Sequence, residues 1–182
     1  MIDFYPIKWK EDFFELIDQR ELPHREIYYR VDSIEKTYEA IQKMVVRGAP
    51  LIGFSALLGL SLWFKKNARS DLNSLRKACD FLKTARPTAV NLEFEIEKVW
   101  TIAQECPFVD MPEKVINLAE KELLELYRKN LSMAKEALKY LDLNFYKDKY
   151  KIMTLCNTGF LACGPMGTAL GVTSFLAQNN RL

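Results

Sequence analysis

The chain has 182 residues, 49% of them apolar and 27% charged, which suits one domain, or one domain and part of a second, around a sizeable core. Its net charge is +2 with both signs interspersed, and this excludes the basic stripe of a nucleic-acid surface and gives no support for membrane-surface binding. The most apolar run, Leu51 to Phe64, is 14 residues long, short of the roughly 20 that a membrane span needs.

Along the chain, Tyr5 to Leu16 reads as two short strands around IKW and FFELI, with a polar turn at Lys10-Glu11-Asp12. Ile27 to Val31 is a third β-type run. Asp32 and Glu35 have capping-box spacing. Ile34, Tyr38, Ile41 and Val45 then recur at helical spacing, which predicts an amphipathic helix over 33–46. Arg47-Gly48-Ala49-Pro50 interrupts it, and Pro50 suits the first turn of the next helix. That helix, 50–66, is apolar nearly all round and is expected at the centre of the N-terminal domain. Ser70 is a candidate cap for a helix pointing Leu72, Leu75, Cys79 and Leu82 inward. After Arg86-Pro87-Thr88 a helix is predicted over 89–104, and the longest one over 112–141, its outer face alternating Glu and Lys. Asp142 to Lys149 reads as a linker, Tyr150 to Leu155 as an apolar strand, and Thr168 to Gln178 as the start of a buried helix. The fold class is therefore α/β, with two parts. Residues 1–145 form a mainly helical domain with a small β-hairpin or sheet, and 146–182 hold the first β-α unit of a Rossmann-like domain. One buried β-α unit lacks neighbours for both strand edges and both faces, so that domain is expected to be truncated here.

Three segments could carry chemistry. In Arg47-Gly48-Ala49-Pro50 a guanidinium precedes a helix N-terminus, the pairing that holds phosphate; a surface charge beside a helix cap is the plainer reading. Arg86-Pro87-Thr88-Ala89-Val90-Asn91-Leu92 repeats the arrangement, so two arginines could grip one anion, or each could be a solvated residue at a capped helix. The third is the loop after the predicted strand, Cys156-Asn157-Thr158-Gly159. Ligands of open α/β sheets bind at strand carboxyl ends, and helix amides or an arginine there would favour the thiolate. Against that stands the buried structural thiol, the commoner fate of cysteine. Cys163, seven residues on, lacks zinc-ligand spacing, and a single histidine makes a zinc site a poor reading. A redox pair of Cys156 and Cys163 needs the two thiols together, which nothing in the spacing provides. Gly164-Pro165-Met166-Gly167 is not a dinucleotide fingerprint, and no acidic ribose ligand follows at the required distance, so a nicotinamide cofactor is disfavoured. The four cysteines, in a chain with no signal-peptide pattern, point to a reducing cytoplasm.

Four stretches taken in order resemble one family: IKW…LIDQRELP at 7–23, AIQKMVVRGAPLIGFSALLGL at 40–60, ARPTAVNLEFEIEKV at 85–99 and MTLCNTGFLACGPMGTALGV at 153–172. The family is that of methylthioribose-1-phosphate isomerase, related to ribose-1,5-bisphosphate isomerases and to the regulatory subunits of translation initiation factor 2B. The resemblance implies an aldose–ketose isomerase of methionine salvage that turns 5-methylthioribose 1-phosphate into 5-methylthioribulose 1-phosphate. It further implies no metal or organic cofactor and a homodimer in the full-length family. By resemblance, Arg47, Gly48 and Ala49 match the substrate-contacting segment, Arg86 the phosphate-binding arginine and Cys156 the active-site cysteine. The family's catalytic Asp, a Gln and an Asn-Lys pair match no position here. Cys163 stands where a Thr is usual, Pro165 for a Gly and Met166 for an aromatic, and the 112–141 helix departs from the family pattern. The alternative implied by the same resemblance is a non-catalytic sugar-phosphate-binding or regulatory module.

Overall fold

The computed structural model describes residues 3–145 and 147–182, and the side chains of 5–145 and 147–182. It opens with a four-stranded antiparallel sheet in simple up-and-down order: β1 Asp3–Phe4, β2 Ile7–Lys10, β3 Phe13–Ile17 and β4 Tyr28–Val31. The period of two decides its faces. Ile7, Phe14, Leu16 and Val31 are fully or almost fully buried, while Lys8, Phe13 and Glu15 beside them are half-exposed and Arg30 is exposed; Ile17, at the end of β3, is buried as well. Register agrees with burial, because Ile7 pairs with Leu16 and Phe14 with Val31.

Among the described residues seven helices follow: α1 Ile34–Gln42, α2 Ala49–Lys66, α3 Leu72–Lys83, α4 Val90–Ala103, α5 Met111–Asn144, α6 Phe160–Cys163 and α7 Ala169–Gln178. A short 3-10 turn, Phe108–Asp110, leads into α5. Helix α2 is the centre. Every residue from Leu51 to Leu62 is buried, and α1, α4 and α5 pack around it. A helix with no polar stripe can be stable only inside such a ring. Its serines do not break this rule: the Ser55 hydroxyl donates to the Leu51 carbonyl at 2.8 Å, and Ser61 to that of Pro112 at 3.0 Å. The exposed end is tied down as well, with Lys66 Nζ donating to the Asp32 carbonyl at 2.7 Å.

Helix α5 does two jobs along its length. Met111, Val115 and Ala119 pack into the α2 core, whereas Asn130 and Ala134 lie beneath the C-terminal segment, where α7 packs on α5. Tyr150 closes that end. Its N–H donates to the Arg181 carbonyl at 2.9 Å and its hydroxyl to the Leu141 and Phe145 carbonyls at 3.1 and 3.0 Å.

Several expectations need correction. The cap of α1 is Ser33, whose hydroxyl accepts from the Lys36 N–H at 3.2 Å, not Asp32. The cap of α3 is Asp71 rather than Ser70, because its carboxylate reaches the Ser74 N–H at 2.8 Å. Leu72, in the first turn after that cap, is 39% exposed rather than inward. Helix α1 stops at Gln42, yet Val45 and Val46 remain buried in the turn that follows. The linker read over 142–149 loses its first residues to α5, which runs to Asn144, and its residue 146 lies outside the described residues. Helix α7 buries only Gly171 and Leu176, so it is a one-sided helix.

The largest departure is at 150–155, which forms no strand. Met153 and Leu155 are 97% and 90% exposed there. A strand is a pairing, not a property of one segment, and among the described residues no strand lies beside this one. The mainly helical α/β reading stands; the β half of the expected β-α unit does not.

Close packing around α2 gives the first prediction. A Cβ on Gly59 would lie 2.4 Å from Thr37 Oγ1 and 2.8 Å from its Cβ, and Thr37 is fully buried. Gly59→Val is expected to lower the unfolding free energy by about 1–3 kcal/mol. Adding Thr37→Ala should return part of that loss, a coupling that a double-mutant cycle in urea reads directly.

Candidate functional site

The Cys156 segment is joined to the N-terminal bundle at one point. Gly48, the residue before α2, has φ +89°, a region in which side chains are strained. A Cβ there would sit 2.2 Å from the Ala162 carbonyl oxygen and 2.5 Å from its Cα. Only glycine therefore lets the α2 start meet α6. Gln19, 8% exposed, clamps the same joint: its N–H donates to the Val45 carbonyl at 3.0 Å and its side-chain amide to the Leu161 carbonyl at 2.6 Å. The rings of Tyr5 and Phe160 meet alongside, 5.2 Å between centroids. The structure thus brings Arg47-Gly48-Ala49 and the segment after Cys156 into one place.

Arg47 itself is exposed, and its field falls on Asp18. Asp18 is 6% exposed and takes a two-pronged hydrogen bond from Arg20, at 2.8 and 2.6 Å. That bond, with a smaller contribution from Arg47, holds the Asp18 carboxyl below its ordinary value against the cost of burial. Arg20 is thereby engaged, whereas Arg47 has no ion-pair partner among the described residues.

Arg86 lies in the turn before α4, half-buried, on the wall of a cleft of about 240 Å³ that it shares with Lys83 and Glu93. Lys83 is already engaged by Glu97 and, at 3.6 Å, by Glu93. No side chain caps the first turn of α2 or of α4, so both arginines stand at helix starts with amides left for another partner. Arg47 is not on the wall of the Arg86 cleft. The two helix starts meet instead across a second cleft of about 210 Å³, lined by Pro50 and Asn91 among others.

Cys156 does not stand at a strand end, because the preceding segment is unpaired. It is exposed, with φ +74°, at a bend of the chain. The loop beyond it folds back on α7. The Thr158 carbonyl accepts from the Thr168 N–H at 2.8 Å, and the Thr158 hydroxyl from the Leu170 N–H at 3.2 Å. The Cys163 thiol faces the Asn157 carbonyl at 3.5 Å and the Thr168 hydroxyl at 3.7 Å. All four cysteines are free thiols. Cys79 is a packing residue: burial pushes its thiol up to about 12.

Two residues here are absent from the sequence reading. Gln19 is one. The other is Asn130, 3% exposed, whose amide donates to the carbonyls of Cys163 and Pro165 at 3.3 and 3.2 Å. The signal for Asn130 was a polar residue on the inward spacing of α5, four residues before the buried Ala134. Nothing local marks Gln19. Among the described residues no group of three metal-ligating side chains occurs, and no helix is long and apolar enough to cross a membrane.

Comparison with known proteins matches the model of the initiation factor 2 subunit family over residues 45–182. Methylthioribose-1-phosphate isomerase 2 of Pseudothermotoga lettingae is 36% identical over 177 residues, 96% of this chain and 50% of that protein. A 5-deoxyribose 1-phosphate isomerase of Bacillus thuringiensis serovar kurstaki is 36% identical over 168 residues, 90% of this chain and 48% of that one. Among solved structures, 5-methylthioribose 1-phosphate isomerase from Pyrococcus horikoshii OT3 superposes with a TM-score of 0.83 at 29% identity, covering 97% of this chain and 50% of that one. The delta subunit of translation initiation factor eIF-2B from A. fulgidus gives 0.76 at 30% identity, covering 98% and 52%. The chain spans about half the length of the relatives it matches.

Two outcomes follow from the joint. Gly48→Ala adds a strained φ and an overlap with α6, and should cost about 2–4 kcal/mol in chemical denaturation; a loss under about 0.5 kcal/mol contradicts so close an approach. Asp18 is held below its unfolded value, so its contribution is complete above an unfolded pKa of about 3.9 and is lost as pH falls through the folded value. Asp18→Asn should therefore remove part of the acid limb of the stability–pH curve and leave a flatter profile below about pH 4.

Proposed function

The chain belongs to the initiation factor 2 subunit family, and on that premise we propose that it carries the phosphate-gripping, thiol-bearing part of an aldose–ketose isomerase. The substrate is a sugar 1-phosphate, in this reading 5-methylthioribose 1-phosphate on its way to 5-methylthioribulose 1-phosphate in methionine salvage. The observation that carries the reading is the approach of Gly48 to Ala162, which joins the Arg47–Ala49 segment with the one that follows Cys156. The names of the curated relatives support the same chemistry.

In this reading Arg86 and the uncapped start of α4 hold the phosphate. Arg47, Gly48 and Ala49 contact the sugar at the start of α2. Charge-assisted bonds from guanidinium and helix amides suit a dianion and fix its orientation. The sugar ring must open, which needs a proton delivered to the ring oxygen. Hydrogen then moves between C2 and C1, by an enediol or by hydride shift. Cys156 stabilises that transition state, and the acid that shuttles the proton comes from outside these 182 residues. No metal or organic cofactor enters. The working protein is a cytoplasmic homodimer. Residues 1–145 form one domain, and 146–182 begin a Rossmann-like domain in which the exposed 150–155 segment finds its strand partners.

The likeness to the eIF-2B subunit favours a second reading, a non-catalytic sugar-phosphate-binding or regulatory module. Pro165 points the same way, since it removes an N–H from the loop after Cys156 and fixes φ there.

One experiment separates the two. The 182-residue chain alone is expected to bind 5-methylthioribose 1-phosphate without turning it over, and Arg86→Ala to weaken binding about ten- to a hundred-fold by calorimetry. Supplying the C-terminal half of the Pseudothermotoga enzyme as a second chain should restore turnover, and Cys156→Ala should abolish it. Turnover by the chain alone sinks the external acid. Binding with no turnover under any pairing favours the module.

A further inference from the structure

The spacing of Cys156 and Cys163 does not place the two thiols together, but the fold brings them close. After Cys156 the chain bends and enters α6, whose single turn is closed by the Ala162 and Cys163 N–H groups donating to the Gly159 carbonyl at 3.1 and 3.0 Å. That turn carries the Cys163 sulfur back to 3.5 Å from the carbonyl oxygen of Asn157, the residue directly after Cys156. The Thr168 hydroxyl meets the same sulfur at 3.7 Å, and Asn130 holds the Cys163 carbonyl at 3.3 Å. Cys163 is thus half-buried and fixed. Cys156 is exposed, and among the described residues 151–155 make no backbone hydrogen bond. One thiol is held in place, and the other sits on a segment with room to approach it. The approach still needed is roughly 4 Å, one residue length, if the two are to reach disulfide geometry.

We propose that Cys156 and Cys163 are a dithiol that oxidises to an internal disulfide, with a small disulfide of the glutathione type as the oxidant. The Cys156 thiolate attacks one sulfur of the oxidant, forms a mixed disulfide and releases one glutathione thiolate. Cys163 gives up its proton to water, and its thiolate attacks the Cys156 sulfur and releases the second glutathione thiolate. Each released thiolate takes up one of the two protons that the cysteines lost. Two protein thiols are oxidised, and one small disulfide is reduced to two thiols. Disulfides of this kind in a reducing compartment are transient ones. The other two cysteines take no part: Cys79 is buried, and the Cys106 sulfur accepts from Lys114 Nζ at 2.7 Å. The proposal stands without the isomerase reading; within that reading, the bond withdraws the thiol assigned to the transition state.

The test is incubation of the 182-residue chain with oxidised glutathione, followed by rapid alkylation with iodoacetamide in denaturant, trypsin digestion and mass spectrometry. No lysine or arginine falls between Lys151 and Arg181, so one peptide, 152–181, holds both cysteines and neither of the other two. That peptide should become two hydrogens lighter, resist alkylation and regain both thiols in dithiothreitol, while the protein runs as a single chain on a non-reducing denaturing gel. The ratio of internal disulfide to glutathione adduct should be about ten-fold higher in the folded chain than in the free 152–181 peptide. Equal ratios mean that spacing alone makes the bond, and overturn the part given to the fold. Cys163→Thr should stop the reaction at a glutathione adduct on Cys156. Glutathione on Cys156 beside a free Cys163 in the unsubstituted chain, a disulfide between chains, or two untouched thiols each overturn the proposal. Those readings need no variant, so a Cys163→Thr protein that fails to fold leaves the proposal open to refutation.

Discussion

The absence of a polar stripe on α2 is the constraint to which the rest of the molecule answers. Each fully buried leucine on that helix is worth about 1.5–3 kcal/mol only if every side of the helix is covered. One face is met by α1, another by α4 and a third by the first half of α5. The small sheet joins the same core through Ile7, Phe14, Leu16 and Val31. With the helix ringed in this way, its start has one place to go, beside α6, and the residue there must be Gly48. That junction is thus a consequence of core packing.

That junction shows how polar groups behave where a core meets a site. Gln19 is nearly buried yet satisfied, because both its backbone and its side-chain amide reach carbonyls across the joint. Asp18, its neighbour, is satisfied by Arg20. Arg47, two residues past the Val45 carbonyl that Gln19 holds, is left free of such ties among the described residues. Buried polar groups are paired as a rule, and here the pairing uses up one arginine and spares the other. An arginine spared beside a helix start is a better anion ligand than one locked in a bidentate pair.

What was legible in the sequence follows the range of the interactions. Helix α2 was legible because its pattern is apolar all round. The β2–β3 hairpin was legible because alternation and a polar turn are local signals. The caps were misread by one residue, since Asp32, Ser33, Ser70 and Asp71 are all competent acceptors and only backbone geometry selects among them. The segment 150–155 forms no strand here for a deeper reason: an apolar run carries strand propensity, but pairing depends on a partner elsewhere. Of the candidate site residues, Gly48 was legible as a glycine before a helix, but its contact with Ala162, 114 positions on, was not. Gln19 was invisible because its partners come from two distant segments. Arg86 was singled out by its motif, yet the cleft it lines is formed with Lys83 and Glu93, which no motif singles out.

The conformation around Cys156 is held from within the chain. Cys156 and Met166 both have positive φ without being glycine, at +74° and +72°. Such residues cost of order 1–3 kcal/mol each and persist only where their surroundings over-determine them. The surroundings are specific. Thr158 binds back to Thr168 and Leu170, drawing the loop onto the start of α7. Asn130, nearly buried on α5, ties down the Cys163 and Pro165 carbonyls on the near side of Met166. The thiol thus sits beside a loop that is held on its C-terminal side, while the 150–155 segment before it is unpaired. The loop therefore depends on α5, and through α5 on the same core that orients Gly48. A substitution at Asn130 would loosen the Cys163–Pro165 turn that it holds, directly after the Ala162 that meets Gly48.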